Sequence, residues 1–276
     1  MSNKKGLLQK LTAAPYVVWM AVFVIVPLIM VAYFAFVGDD GRFTLENIKE
    51  VGQYGPIFMR SIWLAAIATI ICLVIAYPVA YILSRMNVKT QSTMLMIVML
   101  PMWMNFLLRT YAWMTMLGNE GIINSLFEMI GVGPFKMLNT QGAIVLGMVY
   151  NYLPYMILPI YSVMVKIDNS IIEAASDLGC NRIKTTVKLV VPLSIPGIMS
   201  GITMVFVPAI STFIISRMLG GGSNLLIGDL IEMQFLGTSY NPNLGAAISL
   251  VLMVIVLVIM ALMNQIDSSD DERVLL

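Results

Sequence analysis

Six apolar stretches constrain this chain more than any other feature. They lie near residues 14–37, 57–83, 93–117, 142–165, 189–215 and 244–263, each roughly 20 residues or longer. A helix of about that length crosses the hydrocarbon core of a bilayer, where every backbone N–H and C=O must be bonded within its own segment. A water-soluble domain is excluded by charge: 11% of the 276 residues are Asp, Glu, Lys or Arg, against about a quarter in soluble proteins. The expected fold is all-α, a polytopic membrane protein with six transmembrane helices in a single domain over 1–276. The first run follows MSNKKGLLQK. It is too long for a signal-peptide core and lacks a small-residue cleavage site, so it is read as an uncleaved span. Pro78, Pro101, Pro154, Pro159 and Pro208 are expected to kink or break their helices.

Lysine and arginine placement orients the spans. One set of segments holds Lys4, Lys5, Lys10, Arg85, Lys89, Lys166, Arg182, Lys184, Lys188 and Arg273; the opposite set holds Arg42, Lys49, Arg60, Lys136 and Arg217. Ten against five, with Arg109 left inside a span, places both termini in the cytoplasm. On the outer side, FTLENIKEVGQY (43–54) has helical spacing, and SNLLIGDLIEMQFL (223–236) reads as a short helix at or dipping into the outer surface. The tail DSSDDERVLL reads as a solvated end.

Several chemistries fall away on composition. There is no histidine, the commonest general base, metal ligand and pH switch. Cys72 and Cys180 have neither metal-ligand spacing nor a disulfide pattern. With a net charge of +1, no nucleic-acid partner is implied. No paired catalytic constellation stands out, and G-x-x-x-x-G-K-[ST] is missing, so the chain does not cradle a nucleotide in that way.

One long polar stretch interrupts the apolar pattern, EAASDLGCNRIKTTVKLVVPLSIPG from Glu173 to Gly197. Ser170 and Glu173 have capping-box spacing, so each side chain can satisfy an orphan N–H of a helix start. Ile171, Ile172, Ala175 and Leu178 fall on one face, Glu173 and Asp177 on another, and Gly179 stands where a helix ends in a left-handed residue. A second helical piece begins near Asn181, with Lys184 and Lys188 on one face, and Pro192 and Pro196 mark re-entry into the membrane. Periodicity alone leaves two readings open: an interfacial amphipathic helix without a partner, or a rigid surface offered to something cytoplasmic.

Glu173-Ala174-Ala175, Gly179, then nine residues and Leu189-x-Val191-Pro192 resemble the EAA loop of membrane subunits of binding-protein-dependent ABC importers. That family prefers Ile and Leu at the positions of Leu189 and Val191. Further segments, SIWLAAIATIICLVIAYPVAYILSR (61–85), LPMWMNFLLRTYAWMTML (100–117), NLLIGDLIEMQF (224–235) and NPNLGAAISL (241–250), resemble the first permease of spermidine/putrescine importers. The first of these is shared with sulfate, molybdate and ferric-iron permeases. The resemblance implies a type I ABC importer permease fold and a non-catalytic subunit of the bacterial inner membrane, without a cofactor of its own. It implies a second permease, a different chain, two copies of an ATPase that holds ATP and Mg²⁺, and an extracytoplasmic binding protein. Residues 169–188 then form the coupling segment, with Glu173, Ala174, Ala175, Asp177 and Gly179 at the ATPase contact. The runner-up is a permease of a related ABC importer for another small solute, such as sulfate, molybdate or ferric iron. A self-sufficient secondary carrier stands further off, disfavoured by the lack of an internal repeat and of a midplane ion site.

A polyamine path calls for aromatic faces and a few carboxylates. Trp63, Trp103, Tyr111, Tyr150, Tyr152, Asp229 and Glu232 are the candidates, with Tyr77, Trp113, Tyr155, Glu120 and Glu128 behind them. Interfacial Trp and Tyr are also common to membrane proteins generally. An arginine inside a span needs a partner, and Arg109 is expected to tie span three to a carboxylate or to helix-end carbonyls. In an anion importer it would bind substrate instead.

Overall fold

The computed structural model describes residues 15–274 except Asp39 and Thr238; the side chains of Asn264 and of residues 266–274 lie outside the description. Lys4, Lys5 and Lys10 therefore fall outside the described residues, as do the side chains of Arg273 and of the acidic tail residues. The described chain is helical, with one isolated antiparallel bridge between Val37 and Phe43.

Five helical stretches are long and apolar enough to cross a membrane: Pro15–Ala35 (α1), Glu46–Ser84, Gln141–Met164 (α7), Arg182–Ile210 and Pro242–Met263. The second comprises Glu46–Val51 (α2), a 3₁₀ turn at Gly52–Tyr54 and Gly55–Ser84 (α3). The span expected over 93–117, with Pro101 kinking or breaking it, is sharply bent. Val88–Trp103 (α4) is followed by Phe106–Leu117 (α5) and Ile122–Met129 (α6), and the pair bends by 86°. Met104 is extended (φ −78°, ψ 148°), and the Asn105 Oδ1 accepts the Leu107 N–H at 2.8 Å and the Leu108 N–H at 3.4 Å. Asn105 thus caps a new helix rather than continuing the old one. Counting the bent pair gives six spans.

The fifth span also differs from its expected 189–215. It begins at Arg182–Thr185 (α9), passes through a π-helical segment at Thr186–Val190 into Val191–Ile210 (α10), and stops before a short helix at Ile214–Gly220 (α11). A second π segment, Ala21–Ile25, lies in α1. Each π segment ends two residues before a proline, Pro27 and Pro192, where an added residue in the ladder accommodates the missing N–H and the ring. Pro78, Pro154 and Pro159 lie inside continuous helices and do not break them, whereas Pro101 and Pro208 stand two residues before helix ends. Ile227–Leu236 (α12) is the helix expected within 223–236, and Pro242–Val274 (α13) is the last helix.

The chain falls into two compact units, one reaching to Gly55 and including Leu230–Val256, the other covering Pro56–Asp229 and the residues from Leu257. In the first, the Asn47 amide donates to the Ala35 and Val37 carbonyls at 3.3 and 2.9 Å, which ties α2 to the end of α1. In the second, Cys72, Ala76 and Ala80 of α3 pack with Met156, Ile160 and Met164 of α7 and Val205 of α10 in one buried cluster. Helices α7 and α10 approach closely because glycine faces α7. A Cβ on Gly197 would lie 2.9 Å from the Pro159 carbonyl oxygen, and one on Gly201 would lie 2.7 Å from the Met156 sulfur. This Gly-x-x-x-Gly spacing lets backbones meet where lipid supplies no hydrophobic drive for association.

Candidate coupling segment and translocation surface

Asn169–Asp177 (α8) is the helix formed by the polar stretch. Its start is not the Ser170–Glu173 box. Asp168 is the N-cap, its carboxylate accepting the Ser170 N–H at 3.0 Å. Asp168 and Ser170 are both capping residue types, and the helix begins two residues earlier than the Ser170 reading requires. The Ser170 N–H and hydroxyl hold the Asp168 carboxylate below its usual range. A lowered value keeps the cap charged at neutral pH; its contribution fades only as pH falls through that lowered value.

The far end is set by Gly179 at φ +80°. Its N–H donates to the Ser176 carbonyl at 2.9 Å and the Cys180 N–H to the Ala175 carbonyl at 3.0 Å. These are the two bonds of a Schellman stop, and the left-handed residue is where the sequence places it. Asn181 then caps α9, its Oδ1 accepting the Lys184 N–H at 2.8 Å. Two capped helices joined by the four residues 178–181 make a stiff elbow.

Glu173, Ala174 and Asp177 are exposed, and Ala175 is half-buried. Ile172 packs on the buried cluster, whereas Ile171 and Leu178 point away from it, Leu178 at 86% exposure. Ile183 and Val187 are exposed as well. The expected single apolar face is thus split into an inward part and an outward part.

The seven substrate-path candidates do not gather at one cavity. Trp63 lines an apolar groove of about 580 Å³ between α3 and α7, with Leu64, Ile67, Val145 and Val149 and no carboxylate. Trp103 ends α4 at the bend, and Tyr111 stands exposed on α5. Tyr150 meets Trp113 edge-on, with centroids 5.4 Å apart. The Tyr152 hydroxyl donates to the Pro208 carbonyl at 3.3 Å. Asp229 is 2% exposed and accepts the Leu226 N–H at 2.9 Å, closing the start of α12. Glu232 is half-buried on the same helix. Asp229→Ala leaves that buried N–H without its acceptor, at a cost of about 1–3 kcal/mol. The thermal midpoint of the solubilised protein should fall by several degrees, and an unchanged midpoint contradicts this role.

Arg109 is 8% exposed on α5, with its guanidinium carbon 5.9 Å from the Phe106 ring centroid. Its Nε and Nη1 have no hydrogen-bond partner among the described residues. The expected tie to a carboxylate or helix-end carbonyl is therefore not made by these two nitrogens. Sequence reasoning also passed over Gly197 and Gly201, whose spacing in GIMSG was readable, and Arg85, whose partners lie more than 80 residues away.

The chain belongs to the family described as binding-protein-dependent transport system inner membrane component, which it matches over residues 2–269. It is similar to the spermidine/putrescine transport system permease protein PotB of Haemophilus influenzae, 38% identical over 90% of each chain. The Escherichia coli protein of the same name is 35% identical, over 86% of this chain and 90% of the relative. Among solved structures, a bacterial ABC transporter involved in import of the acidic polysaccharide alginate superposes with a TM-score of 0.79. At 17% identity, with 96% of each chain covered, that likeness establishes the fold.

Proposed function

We propose that this chain is a permease subunit of an ATP-driven importer of polyamines of the spermidine/putrescine type, with 1–276 forming one membrane domain. The observation that carries the reading is near-full-length similarity to relatives named for that transport. In this reading the chain sits in a bacterial inner membrane with both termini in the cytoplasm. A second, different permease completes the path, two copies of an ATPase bind below, and an extracytoplasmic binding protein delivers substrate. Transport proceeds by alternating access, and this subunit carries no catalytic residue or cofactor.

The elbow of α8 and α9 is the contact to the ATPase. A stop built from two backbone bonds moves as a lever, where a loose loop would absorb the displacement. The outward Ile171, Leu178 and Ile183 beside Glu173 and Asp177 give that contact an apolar centre and a charged rim. Trp103 and Tyr111, exposed on α4 and α5, are the aromatic faces that this reading assigns to the cation.

The test is ATP hydrolysis by the assembled complex with its binding protein, screened with spermidine, putrescine, sulfate, molybdate and ferric iron. Stimulation by a polyamine alone is the expected result. Stimulation by sulfate instead would overturn the polyamine assignment and make the buried Arg109 an anion ligand.

A further inference from the structure

Any movement of α8 passes through the chain to two helices, α7 through Val165–Asp168 and α10 through α9 and its π segment. Helices α3 and α4 are joined to each other by the turn at Arg85–Asn87 and have no covalent link to α8 near that end. Besides the apolar packing of Ile172 on the buried cluster that includes Leu83 of α3, one polar cluster bridges the gap. The Arg85 Nη1 donates to the Ile167 carbonyl at 3.0 Å and to the Asn169 Oδ1 at 2.5 Å. Its guanidinium carbon lies 5.7 Å from the centroid of the Tyr81 ring, on the last turn of α3. Beside it, the Gln91 Nε2 of α4 donates to the Ser84 and Met86 carbonyls at 3.2 and 2.8 Å, and its Oε1 accepts the Tyr161 hydroxyl of α7 at 3.0 Å.

We propose that Arg85 is a positioning residue that ties the α3–α4 turn to the first residues of α8, so that displacement of α8 is passed to α3 and α4 as well as to α7 and α10. The inference rests on α8 being the coupling element. Ile167 is the last buried residue before α8 and Asn169 is the first of the helix, so the bonds grip the root of the lever. Both involve a cation, which makes them stronger than neutral bonds. The grip is also releasable. Arg85 Nε and Nη2 are shielded and have no hydrogen-bond partner among the described residues. A polar cavity of about 350 Å³ lined by Ser84, Arg85, Gln91, Asp168 and Asn169 leaves room for the guanidinium to re-seat as α8 shifts. A fork fully occupied on every side would hold one arrangement only.

The experiment uses the complete complex with its binding protein in lipid vesicles and reads spermidine taken up per ATP hydrolysed. That ratio does not change when a variant merely lowers the amount of folded complex. Arg85→Ala should lower it about fivefold or more, a typical coupling energy between sites. Arg85→Lys should recover part of the loss, because an ammonium keeps one of the two acceptors. Asn169→Ala should lower the ratio in the same direction, and the double variant should be no worse than Arg85→Ala, as expected for two ends of one bond. If the Arg85→Ala complex does not assemble, Asn169→Ala carries the test, since Asn169 is exposed and Asp168 supplies the cap. An unchanged ratio in Arg85→Ala, or additive losses in the double variant, overturns the tie. Glu173→Lys separates the two levels. Uptake retained in that variant removes the coupling reading itself, whereas uptake lost there with a normal ratio in Arg85→Ala removes only the tie.

Discussion

Glu173→Lys and Gly179→Asp are each expected to abolish ATP-driven uptake while the protein stays in the membrane at its normal level. Glu173 is exposed, and a substitution at such a position changes the stability of the chain itself by about ±0.5 kcal/mol. Gly179 is stricter because of φ +80°, where a side chain costs roughly 1–2 kcal/mol. Yet nothing lies within 4 Å of a Cβ built there, so an aspartate meets no clash inside the subunit. Neither change is large enough to unfold a protein of this size. Loss of uptake must then come from what the elbow presents to its partner. Gly179→Asn is the matched control, since asparagine tolerates the left-handed conformation and adds no charge; it should retain more uptake than Gly179→Asp. Membrane abundance, uptake and pull-down of the ATPase are the measurements. Uptake at normal rates in both Glu173→Lys and Gly179→Asp would end the coupling assignment.

The second large effect lies in the packing of α7 against α10. Gly197→Ala should destabilise more than Gly201→Ala, although both sit on the same face of α10. At Gly197 two of the three nearest atoms are backbone, the Pro159 oxygen at 2.9 Å and the Ile160 Cα at 3.1 Å, which cannot move without moving the helix; the third is the Val163 Cγ2 at 3.0 Å. At Gly201 the nearest is the Met156 sulfur at 2.7 Å, the end of a side chain that can change rotamer. Overpacking costs typically 1–3 kcal/mol, with Gly197→Ala toward the upper end and Gly197→Val above it. Thermal unfolding of the solubilised subunit or complex gives the ranking. Equal midpoints for the two alanine variants would show that α7 and α10 are not held at this distance.

Much of the fold was legible because lipid imposes simple rules. Length and apolar content located the spans, and all but one of them appear as single helical stretches. Gly179 was readable because only a residue without Cβ adopts a left-handed stop at no cost. Asn181 stands at the start of the second helical piece, as expected, and serves as its cap. The misses share a cause. Asn105 in an apolar run can either bond within a helix or cap a new one, and local sequence does not rank the two. Asp168 and Ser170 are two cap residues two positions apart, and their competition was settled by geometry.

What the sequence determined unaided was the class: an all-helical membrane subunit, with a capped polar segment between two spans. Tertiary structure alone decided which faces meet. Helices apolar on every side carry no record of their neighbours, because lipid and a packed helix satisfy a leucine almost equally. The close approach at Gly197 and Gly201, the burial of Arg109 and the grip of Arg85 on the root of α8 therefore emerge only when the helices are assembled. The glycine contacts and the Arg85 bonds join residues far apart in the chain, where van der Waals fit and a few desolvated polar bonds choose the partner.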